Sequence, residues 1–301
     1  MVDVATEHAE SGIPLLDRDD TVRPSSRRRS RLGDTVPFLA VLCLALVFAL
    51  PVYWLVVTSL KNLDEVFADP LVWWPRQLVW ANYPQALQQF PFWRYLRNTL
   101  AIAVPVTIGA TFSSALVAYA FSRLHWRGRD ATFYLILGTL MIPTWVTMVP
   151  LYILFNQMGW IDTYKPLVVP AFFGDPFSIF LLRQFFLRQP QDLVDAARVD
   201  GASHLRVFLQ IMLPLSRPAL VVVALFAFIN SWNDFFNPLI YLSSPEKYTL
   251  QVGLFNFFGL HVVNWPGLMA AAAVILLPVA IIFLVAQRAF IEGITFTGLR
   301  G

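Results

Sequence analysis

The stretch from residue 192 to residue 220 reads DLVDAARVDGASHLRVFLQIMLPLSRPAL and separates two apolar runs. Within it, Asp195-Ala196-Ala197 is followed after three residues by Gly201, and after nine more by Ile211-Met212-Leu213-Pro214. Only glycine reaches left-handed backbone angles at little cost, so Gly201 is placed to end a helix. The pattern predicts a polar loop with two short helices that meet at Gly201.

Local signals refine this prediction. Pro190 precedes the first helix, and Asp192 is positioned to cap it with a side-chain oxygen. Asp195 is expected in the first turn, where a negative charge suits the helix dipole. Ser203 is expected to cap the second helix. Small and apolar side chains are expected to form a face that fits a groove on a partner: Leu193, Ala196, Ala197 and Val199.

The composition is that of a membrane protein. Of the 301 residues, 57% are hydrophobic and only 14% are charged, against about 25% in soluble domains. The single cysteine, Cys43, excludes an intrachain disulfide. The net charge of +3 is explained by basic loops of a membrane protein, so nucleic acid is not expected as a partner.

Six runs are long enough to cross a bilayer, which needs about 20 residues. The sequence therefore predicts an all-α, polytopic membrane protein with six transmembrane helices. The predicted spans are 36–60, 98–122, 131–157, 166–187, 216–242 and 267–287.

The basic residues predict the orientation. If the N-terminus is cytoplasmic, the cytoplasmic segments with their flanks hold 16 of the 22 lysines and arginines, and the external segments hold 6. This bias follows the positive-inside rule. It places both termini and the loop 188–215 in the cytoplasm. The chain is expected to comprise a disordered basic tail (1–35), a permease domain (36–291) and a C-terminal tail (292–301).

The loop resembles the EAA loop of ABC-importer permeases, whose pattern is E-A-A, x3, G, x9, I-x-L-P. The resemblance implies the type I ABC importer permease fold, in which this cytoplasmic loop docks on an ATPase subunit. Asp195 stands where that family usually has glutamate. The residues implied to couple to the ATPase are Asp195, Ala196, Ala197, Asp200, Gly201, Ala202, Ile211, Leu213 and Pro214.

A second polar constellation interrupts the fifth predicted span, where Asn230, Asn233, Asp234 and Asn237 are spaced to share one helical face. With Trp232, the segment resembles the W-N-E/D-F-x-x-P-L segment of maltose-type permeases. A buried carboxylate at bilayer depth costs roughly 2.5–3.5 kcal/mol, so this stripe must face protein or water. It either lines the translocation pathway, contacts a second permease or clamps helices together.

Two further features belong to the same comparison. The C-terminus, through Gly298, Arg300 and Gly301, resembles the G-L-T-x-G-x-x-K-G tail of MalG-like permeases, which reaches between two ATPase subunits. Asp175 interrupts the fourth span, either at a helix break that lines a cavity or at a turn near the outer surface.

The resemblance implies a MalG-like subunit of a carbohydrate importer in the cell (inner) membrane. Its implied partners are a second homologous permease, two ATPase subunits, an external solute-binding protein and the sugar. No G-x-x-x-x-G-K-S/T phosphate loop occurs, so ATP and Mg²⁺ are expected on the ATPase partner. No catalytic residue, metal ligand set or cofactor of this chain is expected.

Two other functions remain open. One is an ABC permease for glycerol-3-phosphate or another polyol. The other is a secondary transporter driven by an ion gradient, with Asp175 and Asp234 as ion carriers.

Overall fold

This computed structural model describes residues 31–258 and 263–295, with side chains over 37–258 and 263–287. Its regular secondary structure is helical, apart from one isolated β-bridge between Phe258 and Val263. In chain order the α-helices are α1 (Arg31–Ser59), α2 (Leu63–Val66), α3 (Asn82–Gln88), α4 (Phe92–Arg123), α5 (Arg129–Thr139), α6 (Thr144–Gln157), α7 (Lys165–Val168), α8 (Pro176–Arg188), α9 (Gln191–Val199), α10 (His204–Val207), α11 (Leu213–Leu215), α12 (Arg217–Trp232), α13 (Phe236–Tyr241), α14 (Leu250–Gly253) and α15 (Trp265–Thr295). Three 3₁₀ turns (Val169–Phe173, Pro245–Lys247 and Leu254–Phe257) and a π-helical turn (Phe208–Met212) join them.

The chain divides into two units between Leu50 and Pro51. In the first unit, the described residues form the N-terminal part of α1, whose side chains from Pro37 onward are exposed and uncharged. The second unit contains the end of α1 and all the later helices. An exposed, uncharged helical surface suits hydrocarbon rather than water.

The second unit is organised around α4. Helices α8 and α12 both pack along α4, and α15 packs against α12. Small residues let the neighbouring backbones approach closely. At Gly109, an added β-carbon would lie 2.7 Å from the ring of Phe172, so a larger residue would collide with that ring. The small residues of α4 with at most 6% exposure are Ala103, Ala110, Ser114, Ala115 and Ala118.

Two apolar clusters pack around opposite ends of α4. One, here called the aromatic cluster because half of its buried residues are aromatic, contains Trp232, which is 1% exposed and donates its indole N–H to the Ile275 carbonyl at 3.2 Å. The other, here called the loop-end cluster, joins the C-terminal half of α4 to the loop 188–215. Its members include Tyr119, Leu182, Phe186, Val194, Val207, Phe208 and Met212.

Four described segments are long and apolar enough to cross a membrane: Pro37–Ser59, Phe92–Arg123, Lys165–Arg188 and Trp265–Gln287. Two bent helix pairs pass the same criteria when each pair is taken together. These are Arg129–Thr139 with Thr144–Gln157, bent by 95°, and His204–Leu215 with Arg217–Trp232, bent by 83°. The described chain thus offers four spans, or up to six if each pair forms one.

The predicted spans 36–60, 98–122, 166–187 and 267–287 each coincide with one of these four segments, of which Lys165–Arg188 is interrupted at Gly174 and Asp175 ahead of α8. The run 131–157 is helical but breaks ahead of Pro143, which disfavours helical geometry at the residue before it. The run 216–242 is not one helix, because α12 ends at Trp232 and α13 begins at Phe236.

Candidate functional site

The loop between α8 and α12 contains the first helix predicted from the sequence, now α9. It begins at Gln191 after Pro190, as expected, but the predicted capping by Asp192 is wrong, because no side chain caps this helix and Asp192 lies within its first turn. Asp195 lies in the second turn, not the first. Its carboxylate accepts a hydrogen bond from the Gln191 amide at 3.1 Å.

Arg123, at the end of α4, holds the start of this loop. Arg123 as a whole residue is only 8% exposed. Its guanidinium donates to the carbonyls of Phe186 and Gln189 and to the side-chain oxygen of Gln191, with a distance of 2.7 Å to the Gln189 carbonyl. Those carbonyls belong to the last turn of α8 and its C-cap, where helices leave acceptors unpaired. Arg123 therefore joins α4, α8 and α9 in one network that sequence analysis missed. A lone arginine after an apolar run carries no signal of such contacts.

The side of α9 turned away from the bundle exposes three apolar side chains among charged ones within the described residues. Leu193 is 43% exposed and Val199 is 87% exposed, and Ala196 is exposed between them. Val194 is instead buried in the loop-end cluster, and Ala197 packs against that cluster. The prediction that Ala197 lies on the exposed side of α9 is therefore wrong. One side of α9 anchors the loop, and the other presents apolar groups.

Gly201 lies at the break between the two loop helices, where the sequence predicted it. Its φ of +83° is left-handed, and nothing lies within 4 Å of where its β-carbon would be. The Gly201 N–H donates to the Arg198 carbonyl at 3.1 Å, and the Ala202 N–H donates to the Ala197 carbonyl at 2.9 Å. Ser203 caps α10 as predicted, accepting from the Arg206 N–H at 3.2 Å.

The remaining residues of the predicted coupling set divide between surface and core. Asp200 and Pro214 are exposed, as are Asp195, Ala196 and Gly201. Ala202, Ile211 and Leu213 pack against the loop-end cluster. Ala202, Ile211 and Leu213 therefore attach the loop to the bundle, and the exposed residues of the set form the surface of the loop.

A cavity of about 530 Å³ opens at the middle of the 32-residue helix α4, beside Val106 and Ala110. Its other walls come from the segment 167–178 and from the junction of α12 with α13. Asp175 lines the cavity, immediately before α8 and after Gly174, whose φ is +90°. Of the two interpretations that the sequence left open for Asp175, the structure agrees with a helix break that lines a cavity. The polar side chains on the cavity are Asp175, Ser178, Asn230, Ser231, Asp234 and Asn237.

Both carboxylates on the cavity begin new helical segments. Asp175 caps α8, accepting from the Ser178 N–H at 2.8 Å and the Ser178 hydroxyl at 2.6 Å. Asp234 accepts from the Asn237 N–H at 3.2 Å and from the Asn237 side chain at 2.9 Å. Short acidic side chains compete in this way with continued helix.

The prediction that four polar residues of the fifth run share one continuous helical face is wrong. The chain leaves α12 after Trp232 and α13 begins at Phe236, yet this turn still brings Asn230, Asp234 and Asn237 to the same cavity. Asn233 is exposed away from the cavity lining and accepts from the Gln251 side chain at 3.4 Å. Trp232 is buried in the aromatic cluster, so the structure places it in packing rather than on the cavity.

The loop after α6 and the loop after α13 are joined by Asp162. Its carboxylate accepts from the backbone N–H groups of Ser243 and Ser244, both at 3.0 Å, from the Ser244 hydroxyl at 2.6 Å and from the Lys247 ammonium at 2.7 Å. The hydrogen bonds from Lys247 and from Ser244 hold the pKa of Asp162 well below its usual range. The sequence offered no signal for this pairing, which joins segments about 80 positions apart.

Replacing Asp162 with asparagine is expected to destabilise the protein by about 1.5–3 kcal/mol at pH 7, the range for hydrogen bonds to a charged group. Asparagine also tolerates the left-handed φ of +59° at this position, so the loss reports the charge. Because the folded pKa lies below the unfolded value of about 3.9, the contribution is complete above that value and is lost as pH falls toward the folded pKa. Thermal unfolding in detergent should show that the difference in unfolding free energy between the wild type and Asp162→Asn becomes smaller from pH 7 to pH 3. A difference independent of pH would contradict this assignment.

The residues Gly298, Arg300 and Gly301 of the predicted tail, and all of residues 1–30, lie outside the described residues. The loop 243–266 is described except for 259–262.

A helical protein with several apolar spans, an anchored polar loop between two of them and a polar cavity halfway along its central helix is an integral membrane transport protein. The chain belongs to the family of binding-protein-dependent transport system inner membrane components, whose model matches residues 110–295. This family comprises ABC transporter permeases.

The curated relatives extend the similarity over most of the chain. It is 33% identical to the arabinooligosaccharides transport system permease protein AraQ of Bacillus subtilis, over 87% of this chain and 94% of that protein. It is 32% identical to the trehalose/maltose transport system permease protein MalG of Thermococcus litoralis, over 87% and 95%. A solved structure of a bacterial ABC transporter for import of the acidic polysaccharide alginate shares the fold, with a TM-score of 0.73, 24% identity and coverage of 88% and 99%.

Proposed function

We propose that this chain is the permease subunit of an ATP-driven importer for a carbohydrate, and that it forms half of the translocation pathway. It crosses the cell (inner) membrane six times, with Arg129–Thr139 and Thr144–Gln157 together forming one span, with Arg217–Trp232 forming part of another, and with both termini in the cytoplasm. The names of the relatives, which include an arabinooligosaccharide and a trehalose/maltose permease, support the substrate class. The 16-to-6 distribution of basic residues supports the orientation.

The single observation that carries the coupling mechanism is the set of exposed apolar side chains on α9 beside the left-handed Gly201. Three exposed side chains, Leu193, Ala196 and Val199, are available to a groove, and the opposite side of the helix is anchored in the loop-end cluster. A partner that moves this face moves the bundle with it. That partner is one of two ATPase subunits, which bind ATP and Mg²⁺.

The transport cycle follows from this connection. ATP binding closes the two ATPase subunits, and closure displaces the loop that holds Asp195, Ala196 and Gly201. Arg123 passes the displacement to α4 and α8, because its guanidinium binds both the end of α8 and the start of α9. Both helices line the cavity, so the movement changes access to it. Sugar arrives from an external solute-binding protein, and the pathway is completed by a second, homologous permease. The C-terminal residues Gly298, Arg300 and Gly301 reach toward the ATPases.

The lining of the cavity favours an uncharged substrate over glycerol-3-phosphate. No basic side chain lines it among the described residues, and a phosphate would need one. The basic residue deepest in the fourth span, Arg183, instead lies over the ring of Phe133, at 4.2 Å from its centroid, and donates to the Phe121 carbonyl at 3.3 Å.

The ion-gradient transporter is disfavoured by the roles of the two acids. Asp175 caps α8, and Asp234 accepts from the Asn237 N–H in the first turn of α13, so protonation of either acid during a transport cycle would weaken these hydrogen bonds. Membership of an ABC permease family also argues against it.

Affinity purification of the tagged chain from its native membrane in mild detergent tests the proposal. We expect co-purification of an ATPase and a second permease, identified by mass spectrometry. A parallel purification of a Leu193→Asp, Val199→Asp double variant should retain the second permease and lose the ATPase, since charges on the exposed face of α9 oppose docking in an apolar groove. Recovery of the wild-type chain alone as a folded homo-oligomer would refute the importer.

A further inference from the structure

The cavity at the middle of α4 has the composition of a ligand site within this chain. Its volume of about 530 Å³ falls inside the range of about 300–1,000 Å³ for small-molecule sites. It combines apolar walls, including Phe177 and Phe226, with polar side chains contributed by two separate helix junctions. A few convergent polar groups on an apolar wall are the usual pattern of such sites.

Several polar atoms on this cavity remain available for a ligand. Asn230 and Ser231 make no side-chain hydrogen bond within the described part of the chain, although both line the cavity. Asp175 accepts both of its helix-capping bonds on Oδ2, which leaves its Oδ1 without a partner among the described residues. Asn237 uses its amide N–H toward Asp234, so its carbonyl oxygen is likewise available.

These available atoms are mostly acceptors, and the site carries two carboxylates with no basic side chain among its described lining residues. Acceptors need a ligand that donates hydrogen bonds, which sugar hydroxyls do. A carboxylate, sulfonate or phosphate on the ligand would meet like charge without a cation to offset it. The apolar rings are placed to contact the C–H face of a sugar ring.

We infer that this cavity is a subsite for one ring of a neutral saccharide, supplied by this chain itself, and that it discriminates against acidic saccharides. The inference rests on the proposed function and adds to it a location and a charge preference. This preference for neutral saccharides is the opposite of what the structurally similar importer needs, since that importer is named for the acidic polysaccharide alginate.

The test uses the complete importer in proteoliposomes with its binding protein. Uptake is first measured for a neutral panel (maltotriose, arabinotriose and trehalose) and for trigalacturonate as the acidic probe. We expect accumulation of at least one neutral saccharide and at least tenfold less trigalacturonate. Each variant is then assayed with the accumulated neutral saccharide for uptake per ATP hydrolysed.

Asn230→Leu and Ser231→Ala are expected to lower uptake per ATP about tenfold and threefold, with ATPase stimulation by the liganded binding protein unchanged. Asn233→Leu is the matched control for Asn230→Leu, because it makes the same amide-to-alkyl change at a residue that does not line the cavity. Uptake by the Asn233→Leu importer should stay within twofold of wild type. Asp234→Asn, which keeps the side-chain shape, should raise the ratio of acidic to neutral uptake at least threefold, a change that a purely structural residue would not cause.

Three results would overturn the inference: both cavity variants equal to wild type, a loss shared equally by Asn233→Leu, or preferential uptake of trigalacturonate by wild type. Failure of the proposed function looks different. In that case the wild-type complex shows neither ATPase stimulation by a binding protein nor uptake of any saccharide.

Discussion

Replacing Gly201 with valine is expected to abolish most ATP-driven uptake, by tenfold or more, while the complex stays assembled. The φ of +83° at this position is left-handed, which costs a non-glycine residue about 1–2 kcal/mol and a β-branched residue more. No atom lies within 4 Å of the added β-carbon, so the penalty is entirely one of backbone conformation. The chain relieves it by changing the turn after α9, which moves the exposed face made by Leu193, Ala196 and Val199.

The measurement is uptake by proteoliposomes that enclose ATP, with the binding protein outside, compared at equal amounts of assembled complex. Gly201→Ala should show a smaller loss, because alanine enters the left-handed region at less cost than valine.

The chain supplies a matched control at Gly159. This glycine also follows a helix, has a φ of +66° and has nothing within 4 Å of its β-carbon position. Gly159→Val therefore imposes a similar backbone penalty at the far end of the bundle from the loop. It should lower thermal stability by a similar amount and leave uptake largely intact. Equal losses of uptake in the two variants would show that Gly201 acts only through general stability.

Replacing Arg123 with methionine is expected to uncouple ATP hydrolysis from transport. Methionine keeps much of the side-chain volume but donates no hydrogen bond, so the Gln189 carbonyl and the Gln191 side chain lose the Arg123 donor, and the Phe186 carbonyl keeps only the Gln189 N–H. Leaving a buried acceptor unpaired costs about 1–3 kcal/mol. With α9 no longer tied to α4 and α8, movement of the loop reaches the cavity weakly.

The readout is the ratio of uptake to ATP hydrolysis, together with ATPase stimulation by the binding protein. We expect the ratio to fall at least fivefold and the stimulation to be largely lost. Arg123→Lys should resemble methionine more than wild type, because an ammonium group cannot span the separate acceptors that a guanidinium reaches.

Arg127→Met is the control for Arg123→Met. Arg127 is exposed and lies four residues after Arg123, in the loop between α4 and α5. It should behave as wild type in both assays. If Arg123→Met lowered thermal stability but kept the wild-type ratio of uptake to hydrolysis, Arg123 would be a structural clamp with no part in coupling.

The secondary structure was largely predictable where one signal dominated. Long uncharged runs predicted the helices at 36–60, 98–122 and 267–287, because hydrocarbon leaves the backbone no alternative to internal hydrogen bonds. Gly201 and Ser203 were assigned correctly, because a left-handed turn and a helix cap are local events that one or two residues decide.

The interrupted helices were harder to predict. Composition alone did not separate a continuous span from two shorter helices at 131–157 and 216–242. The break after Trp232 depends on whether Asp234 caps a new helix or continues the old one, and both choices satisfy the local hydrogen-bonding groups. Packing of Trp232 in the aromatic cluster, with its indole bonded to the Ile275 carbonyl, favours the break.

The sequence by itself determined that the chain is a helical membrane protein, that its polar loop bends at Gly201, and which polar residues are too costly to leave in lipid. Each of these follows from the chemistry of single residues and their near neighbours. Only the tertiary structure decided which side of α9 is exposed, that Arg123 ties three helices together, that Asp162 joins two loops, and that Asp175 and Asp234 share one cavity. Those arrangements join residues tens of positions apart, and their contact energies depend on how α8 and α12 pack along α4. No local pattern carries that information.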